Sequence, residues 1–156
     1  MIIKEPALIN EIQKWHSGHK KIVLTNGCFD LIHVGHLRTF YEAKKLGDLL
    51  IVGINSDQSV RSLKGETRPI ISEQDRAELV SALKPVDYVI IFNEKNVSRL
   101  LKLVKPDVYV KGGDYTLESL PEKETIARFG IKVEFIPLVV GISTTELIKR
   151  IRTANI

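Results

Sequence analysis

KIVLTNGCFDLIHVGHLRTFYEAKKL, residues 21–46, decides the fold. Ile22, Val23 and Leu24 form an apolar, β-branched run, the composition of a strand covered on both faces. Asn26-Gly27 interrupts it with residues that tolerate left-handed backbone angles. Leu37, Phe40, Tyr41, Lys44 and Lys45 then recur at helical spacing, with an apolar and a basic side. Between turn and helix stand His33 and His36, with Gly35 between them. Two imidazoles and a glycine at a helix start make a place for an anion, and the anion expected is a nucleoside triphosphate.

Working outward, apolar runs and helical patterns alternate along the chain. A helix is expected from Pro6 to Gly18, with Ala7, Leu8, Ile12 and Trp15 on one side. Further strands are expected over 48–54, 86–91, 108–110 and 131–136. Helices are expected after Asp57 and Ser72, over 97–104 and 117–129, and from Ser143 onward. Alternation without repeats implies a five-stranded parallel sheet, doubly wound and Rossmann-like, with right-handed crossovers. Residues 1–20 are read as a helix packed on a single domain formed by 21–156.

Ligands of such sheets bind beyond the carboxyl ends of the strands, where strand order reverses. The polar clusters obey that rule. Asn26 to His36 follows the first strand, Asn55 to Asp57 the second and Lys111 to Tyr115 the fourth, while Ser143 to Thr145 lies beyond the fifth. Backbone N–H groups around Gly27, Cys28 and Phe29, the helix opening at Gly35, both histidines and the Ser143-Thr144-Thr145 helix start can all point at phosphates. Lys44, on the same helix as His36, is expected to reach the same charge. Fixed donors of this kind suit nucleotidyl transfer, in which a phosphate oxygen attacks the α-phosphorus and pyrophosphate leaves.

Other chemistries fare worse. His33, His36 and Cys28 make an incomplete metal site without a fourth ligand. The GxxxxGK[ST] loop and the GxGxxG turn are both missing. A single cysteine excludes an internal disulfide framework. The net charge of +4 is mild, and bases and acids are interspersed, which disfavours a nucleic-acid partner. The 156 residues are 44% hydrophobic and 27% charged, enough for a real core, with no membrane-spanning run. The first residues lack the layout of a signal peptide, so a cytoplasmic protein is expected.

Asn26 to Asp30 followed by His33-Val34-Gly35-His36, with Gly141 to Thr145 as a second motif, resembles the cytidylyltransferase-like nucleotidyltransferases. Asn55-Ser56-Asp57, Leu63-Lys64-Gly65 with Arg68-Pro69, and Lys111-Gly112-Gly113-Asp114-Tyr115 are similar to the branch that adenylates D-glycero-β-D-manno-heptose 1-phosphate. The resemblance implies that His33 and His36 stabilise the transition state. It implies that Asn26, Gly27, Cys28, Phe29, Lys44, Ser143 and Thr144 hold phosphates. Gly112, Asp114 and Tyr115 would line the nucleotide or sugar pocket, with backbone near Lys111 and Gly141 reading the base. Asp57 and Lys64 are carried over as tentative acceptor contacts. Asp30 would orient the histidine loop or help place the Mg²⁺ that accompanies ATP. The stretch Lys64 to Arg68 is read as a lid, and a homodimer is suggested.

Relatives that use CTP and glycerol 3-phosphate carry an arginine three residues before the second-motif glycine, where this chain has Leu138. Arg68 and Arg76 are the candidate replacements. Two alternatives stay open: a cytidylyltransferase for glycerol 3-phosphate or another polyol phosphate, and a non-catalytic nucleotide- or metal-binding module.

Overall fold

The structure, a computed structural model, describes residues 1–113, 115–137, 139 and 141–154. In chain order the elements are α1 (Glu5–Ser17), β1 (Ile22–Gly27), α2 (Val34–Lys44), β2 (Leu49–Asn55), α3 (Asp57–Lys64) and α4 (Glu73–Ser81). They continue with β3 (Tyr88–Phe92), α5 (Ser98–Val104), β4 (Val108–Gly112), α6 (Lys123–Phe129), β5 (Lys132–Ile136) and α7 (Thr144–Thr153). The sheet order is β3-β2-β1-β4-β5, every neighbour parallel. The chain thus winds outward from β1 to β3, then crosses to β4 on the other side. The order reverses between β1 and β4, as the Rossmann-like reading requires.

Alternation along β1 splits the core in two. Ile22 and Leu24 join Leu8, Ile12 and Trp15 of α1, Leu100 and Leu101 of α5 and Ile126 of α6 on one face. Val23 joins Phe40 and Ala43 of α2 and Ala77 and Val80 of α4 on the other. The first residues extend the sheet further, since Ile3 N–H donates to Val89 O at 2.8 Å and Val89 N–H to Met1 O at 2.9 Å.

The two rims carry opposite chemistry. At the amino ends, aspartates hold the strands: Asp48 accepts from Lys21 N–H (2.8 Å), Asp107 from Ile22 N–H (2.7 Å) and Asp87 from Leu50 N–H (2.7 Å). The carboxyl ends open into loops and helix starts. Ser56, Ser72 and Ser143 cap α3, α4 and α7 by accepting from the N–H of Ser59, Asp75 and Glu146.

Two expectations need correction. Gly27 stays within β1, and the left-handed residue of the turn is Phe29, at φ 47°. Gly27 is required for space, because a Cβ there would lie 2.9 Å from the Phe29 ring. The helix expected over 117–129 is broken. A 3-10 turn at Leu117–Ser119 ends at an extended Leu120, and α6 starts only at Lys123. Pro121 excludes helical angles from the residue before it. No helix among the described residues is long and apolar enough to cross a membrane.

Candidate active site

A cavity of about 390 Å³ lies at the carboxyl ends of β1, β2 and β4. From β1 and its loop it takes Thr25, Asn26, Gly27, Cys28, Phe29 and Asp30, and from α2 His36 and Thr39. Lys64, Lys95, Lys111, Gly112, Tyr115, Glu122 and Thr144 close the other sides. These residues, from seven separate stretches, therefore meet where strand order reverses.

The β1–α2 loop is built by buried polar contacts. Asp30 is 1% exposed and accepts from Arg68 Nε (2.5 Å), Ile70 N–H (2.8 Å) and Ile71 N–H (3.0 Å). Arg76 is fully buried and donates to Cys28 O (2.5 Å), Asp57 Oδ1 (2.7 Å) and Ile71 O (3.0 Å). These bonds hold the loop from behind and fix a left-handed Phe29, a conformation costly for a bulky residue. The Phe29 ring then packs edge-on against His36 at 5.3 Å and beside Phe40 at 5.1 Å. Tyr109 Oη donates to Asn26 Oδ1 at 2.7 Å and orients that amide at the cavity wall.

His33 precedes α2 in extended backbone, and its ring folds back over Gly35 to stack on His36. A Cβ at residue 35 would lie 2.9 Å from His33 Cε1 and Nδ1, so the intervening residue has to be glycine. Both Nδ1 atoms are buried without a hydrogen-bond partner among the described residues. Burial lowers the pKa of both imidazoles, and His36, with His33 and Lys64 nearby, falls to about 4. The pair is therefore neutral at pH 7. In its Nε2–H tautomer such a neutral imidazole can donate to a phosphate oxygen.

Not every expected residue reaches the cavity. Lys44 is on the opposite rim, donating to Asp48 O and Asp87 Oδ2, both at 2.6 Å. It lies eight residues beyond His36, about 12 Å along a helix that rises 1.5 Å per residue, so it is a strut between strand starts. Ser143 spends its hydroxyl capping α7, leaving Thr144 as the lining residue of that motif. Arg76 is committed to Asp57, Cys28 O and Ile71 O, so it does not stand in for the arginine that the glycerol-phosphate relatives carry before the second motif. Arg68 gives Nε to Asp30 and keeps a buried Nη2 without a partner among the described residues. The cavity cations are instead Lys64, Lys111 and Lys95, the last unforeseen. Gly141 adopts φ 79° on the exposed approach to α7. Asp114 and Leu138 lie outside the described residues.

The proposed lid narrows as well. Arg68, Ile70 and Ile71 are tied to Asp30, and the exposed turn from Gly65 to Thr67 is closed by Gly65 N–H on Arg61 O (2.8 Å) and Arg68 N–H on Gly65 O (3.1 Å). No group of three or more metal-ligating side chains occurs among the described residues, and both Asp30 oxygens are occupied. Asp30 therefore serves the loop.

A parallel, Rossmann-like sheet with a cationic cavity at its switch point and paired imidazoles at a helix start defines a nucleotidyltransferase fold. The family model described as cytidylyltransferase-like matches residues 24–150. The chain belongs to that family. Among curated relatives, it is 52% identical over 85% of its length to "Bifunctional protein HldE" of Syntrophotalea carbinolica, covering 27% of that protein. It is 44% identical over 96% of its length to the protein of the same name from Koribacter versatilis, covering 31%. It thus spans less than a third of these relatives. Among solved structures, the lipopolysaccharide core biosynthesis protein of Thermoplasma volcanium is 33% identical, with a TM-score of 0.63. That match covers 77% of this chain and 97% of the other.

Proposed function

We propose that the protein transfers AMP from ATP to D-glycero-β-D-manno-heptose 1-phosphate, releasing pyrophosphate and ADP-heptose. The observation that carries the transfer chemistry is the stacked His33–His36 pair at the start of α2, beside a cavity lined by three lysines. Heptose is supported by the likeness of Lys111 to Tyr115 to the heptose-specific branch, by the relatives named HldE and by a neighbour titled for lipopolysaccharide core biosynthesis.

An oxygen of the sugar 1-phosphate attacks the α-phosphorus of ATP, and the bond to the bridging oxygen of the β-phosphate breaks. No protein nucleophile takes part. Charge grows on the α-phosphoryl oxygens and on the leaving pyrophosphate. His36, supported by His33, donates to the first, while Lys64, Lys95, Lys111 and the start of α7 at Thr144 neutralise the second. Burial lowers the Lys111 pKa, and a phosphate beside it would favour the charged form.

Pyrophosphate release measured with ATP and CTP, each against a panel of sugar and polyol phosphates, tests the reading. Release with ATP and heptose 1-phosphate is expected. Release only with CTP and glycerol 3-phosphate would refute it.

A further inference from the structure

Glu122, in the turn that Pro121 forces before α6, is a carboxylate the reaction above does not use. It is 2% exposed, and Oε1 accepts from Val97 N–H at 3.2 Å. Oε2 is buried without any partner among the described residues. The residue lines the cavity beside Tyr115, Lys111 and Pro121. The other lining carboxylate, Asp30, has both oxygens engaged, so Glu122 Oε2 is the carboxylate oxygen left without a partner among the described lining residues.

An unpaired buried carboxylate oxygen is costly and calls for a donor. A phosphate is the wrong occupant, since it would add repulsion. A metal ion is a poor one, because a single open oxygen is offered and the Lys111 ammonium lines the same wall. What fits is the neutral, donor-bearing end of a substrate whose phosphates lie toward His36. We propose that Glu122 accepts a hydrogen bond from a substrate hydroxyl and so determines specificity for a polyhydroxylated group. Two parts of the reacting pair carry such hydroxyls, the sugar of the acceptor and the ribose of the nucleotide. The inference rests on the transferase reading above and adds the residue that recognises the polyol. A site that pairs a hydroxyl in this way discriminates strongly against analogues lacking it.

Glu122→Gln is the informative variant. The amide oxygen can still accept from Val97 N–H, while the open acceptor becomes a donor. Glu122→Asp keeps the charge but withdraws it, and gives the same readout if the first variant folds poorly. The wild-type panel first establishes which phosphate acceptor is used, so a wrong acceptor assignment shows there, independently of Glu122. Steady-state kinetics then follow with that acceptor, ATP, and 2′-deoxy- and 3′-deoxy-ATP, at two Mg²⁺ concentrations. A rise of about tenfold in the KM of the acceptor, with that of ATP within twofold, supports the proposal with the acceptor sugar as the source. A similar rise for ATP, with lost discrimination against the deoxynucleotides, supports it with the ribose as the source. Both KM values within twofold of wild type would overturn it, and so would a defect that higher Mg²⁺ restores.

Discussion

The imidazole of His33 stacks on that of His36 at a centroid distance of 3.8 Å, with 21° between the planes. Two protonated rings at that distance would repel, and burial already disfavours the charge on each. The arrangement keeps a neutral imidazole at the cavity wall, and in the proposed transfer it would donate to a phosphoryl oxygen as charge develops there. Stacking is possible only because residue 35 has no side chain.

Gly35→Ala should therefore separate stability from turnover. The added methyl would meet the His33 ring at 2.9 Å and push it off His36. Overpacking costs about 1–3 kcal/mol, and the better helix former returns up to about 1 kcal/mol. Urea denaturation should show a modest loss, while turnover falls by about tenfold or more. Unchanged turnover would mean that the stack is incidental.

The pH dependence of stability has a defined sign. His36 titrates near 6.5 when unfolded and near 4 in the native protein. Between those values the unfolded state binds more protons, so its contribution is full above 6.5 and is lost as pH falls toward 4. The slope from one such group approaches about 1.4 kcal/mol per pH unit. His36→Asn should flatten the decline between pH 6.5 and 4 in chemical denaturation. A slope identical to wild type would show that His36 is not held neutral.

Lys44→Ala and Arg76→Ala should behave in opposite ways to a simple reading of charge near a phosphate site. Lys44 braces Asp87 at the far rim, half in solvent, and its loss should cost about 1 kcal/mol or less with turnover within twofold of wild type. Arg76 never meets solvent, and its removal leaves Asp57 and two carbonyls unpaired. A loss of about 3–5 kcal/mol is expected in thermal or urea melts. A hundredfold activity loss in folded Lys44→Ala protein would put the lysine back into the reaction.

These contrasts mark what can be read from a linear chain. The order of elements and the rim that carries the site follow from local patterns: the Ile22–Leu24 run, the glycine turn and the helix starts at Ser56, Ser72 and Ser143. The break at Pro121 was missed, although its signal is local: a proline disfavours helical angles at the residue before it. The roles of Arg76 and Asp30 were not legible. Each joins segments some 19 to 48 positions apart, and nothing near either residue announces its partners. Glu122 was hidden for the same reason, since its surroundings come from the β3–α5 loop and from β4. Lys44 was misplaced because sharing a helix with His36 is not sharing its ligand: eight residues are more than two turns, and they carry it to Asp48 and Asp87 at the other rim.

The most direct test compares His36→Ala with wild type in two assays, pyrophosphate release and equilibrium binding of ATP. The account predicts a fall in turnover on the order of 10²-fold or more, with ATP affinity within about fivefold and an intact fold. Normal turnover per folded molecule, with only stability reduced, would contradict it.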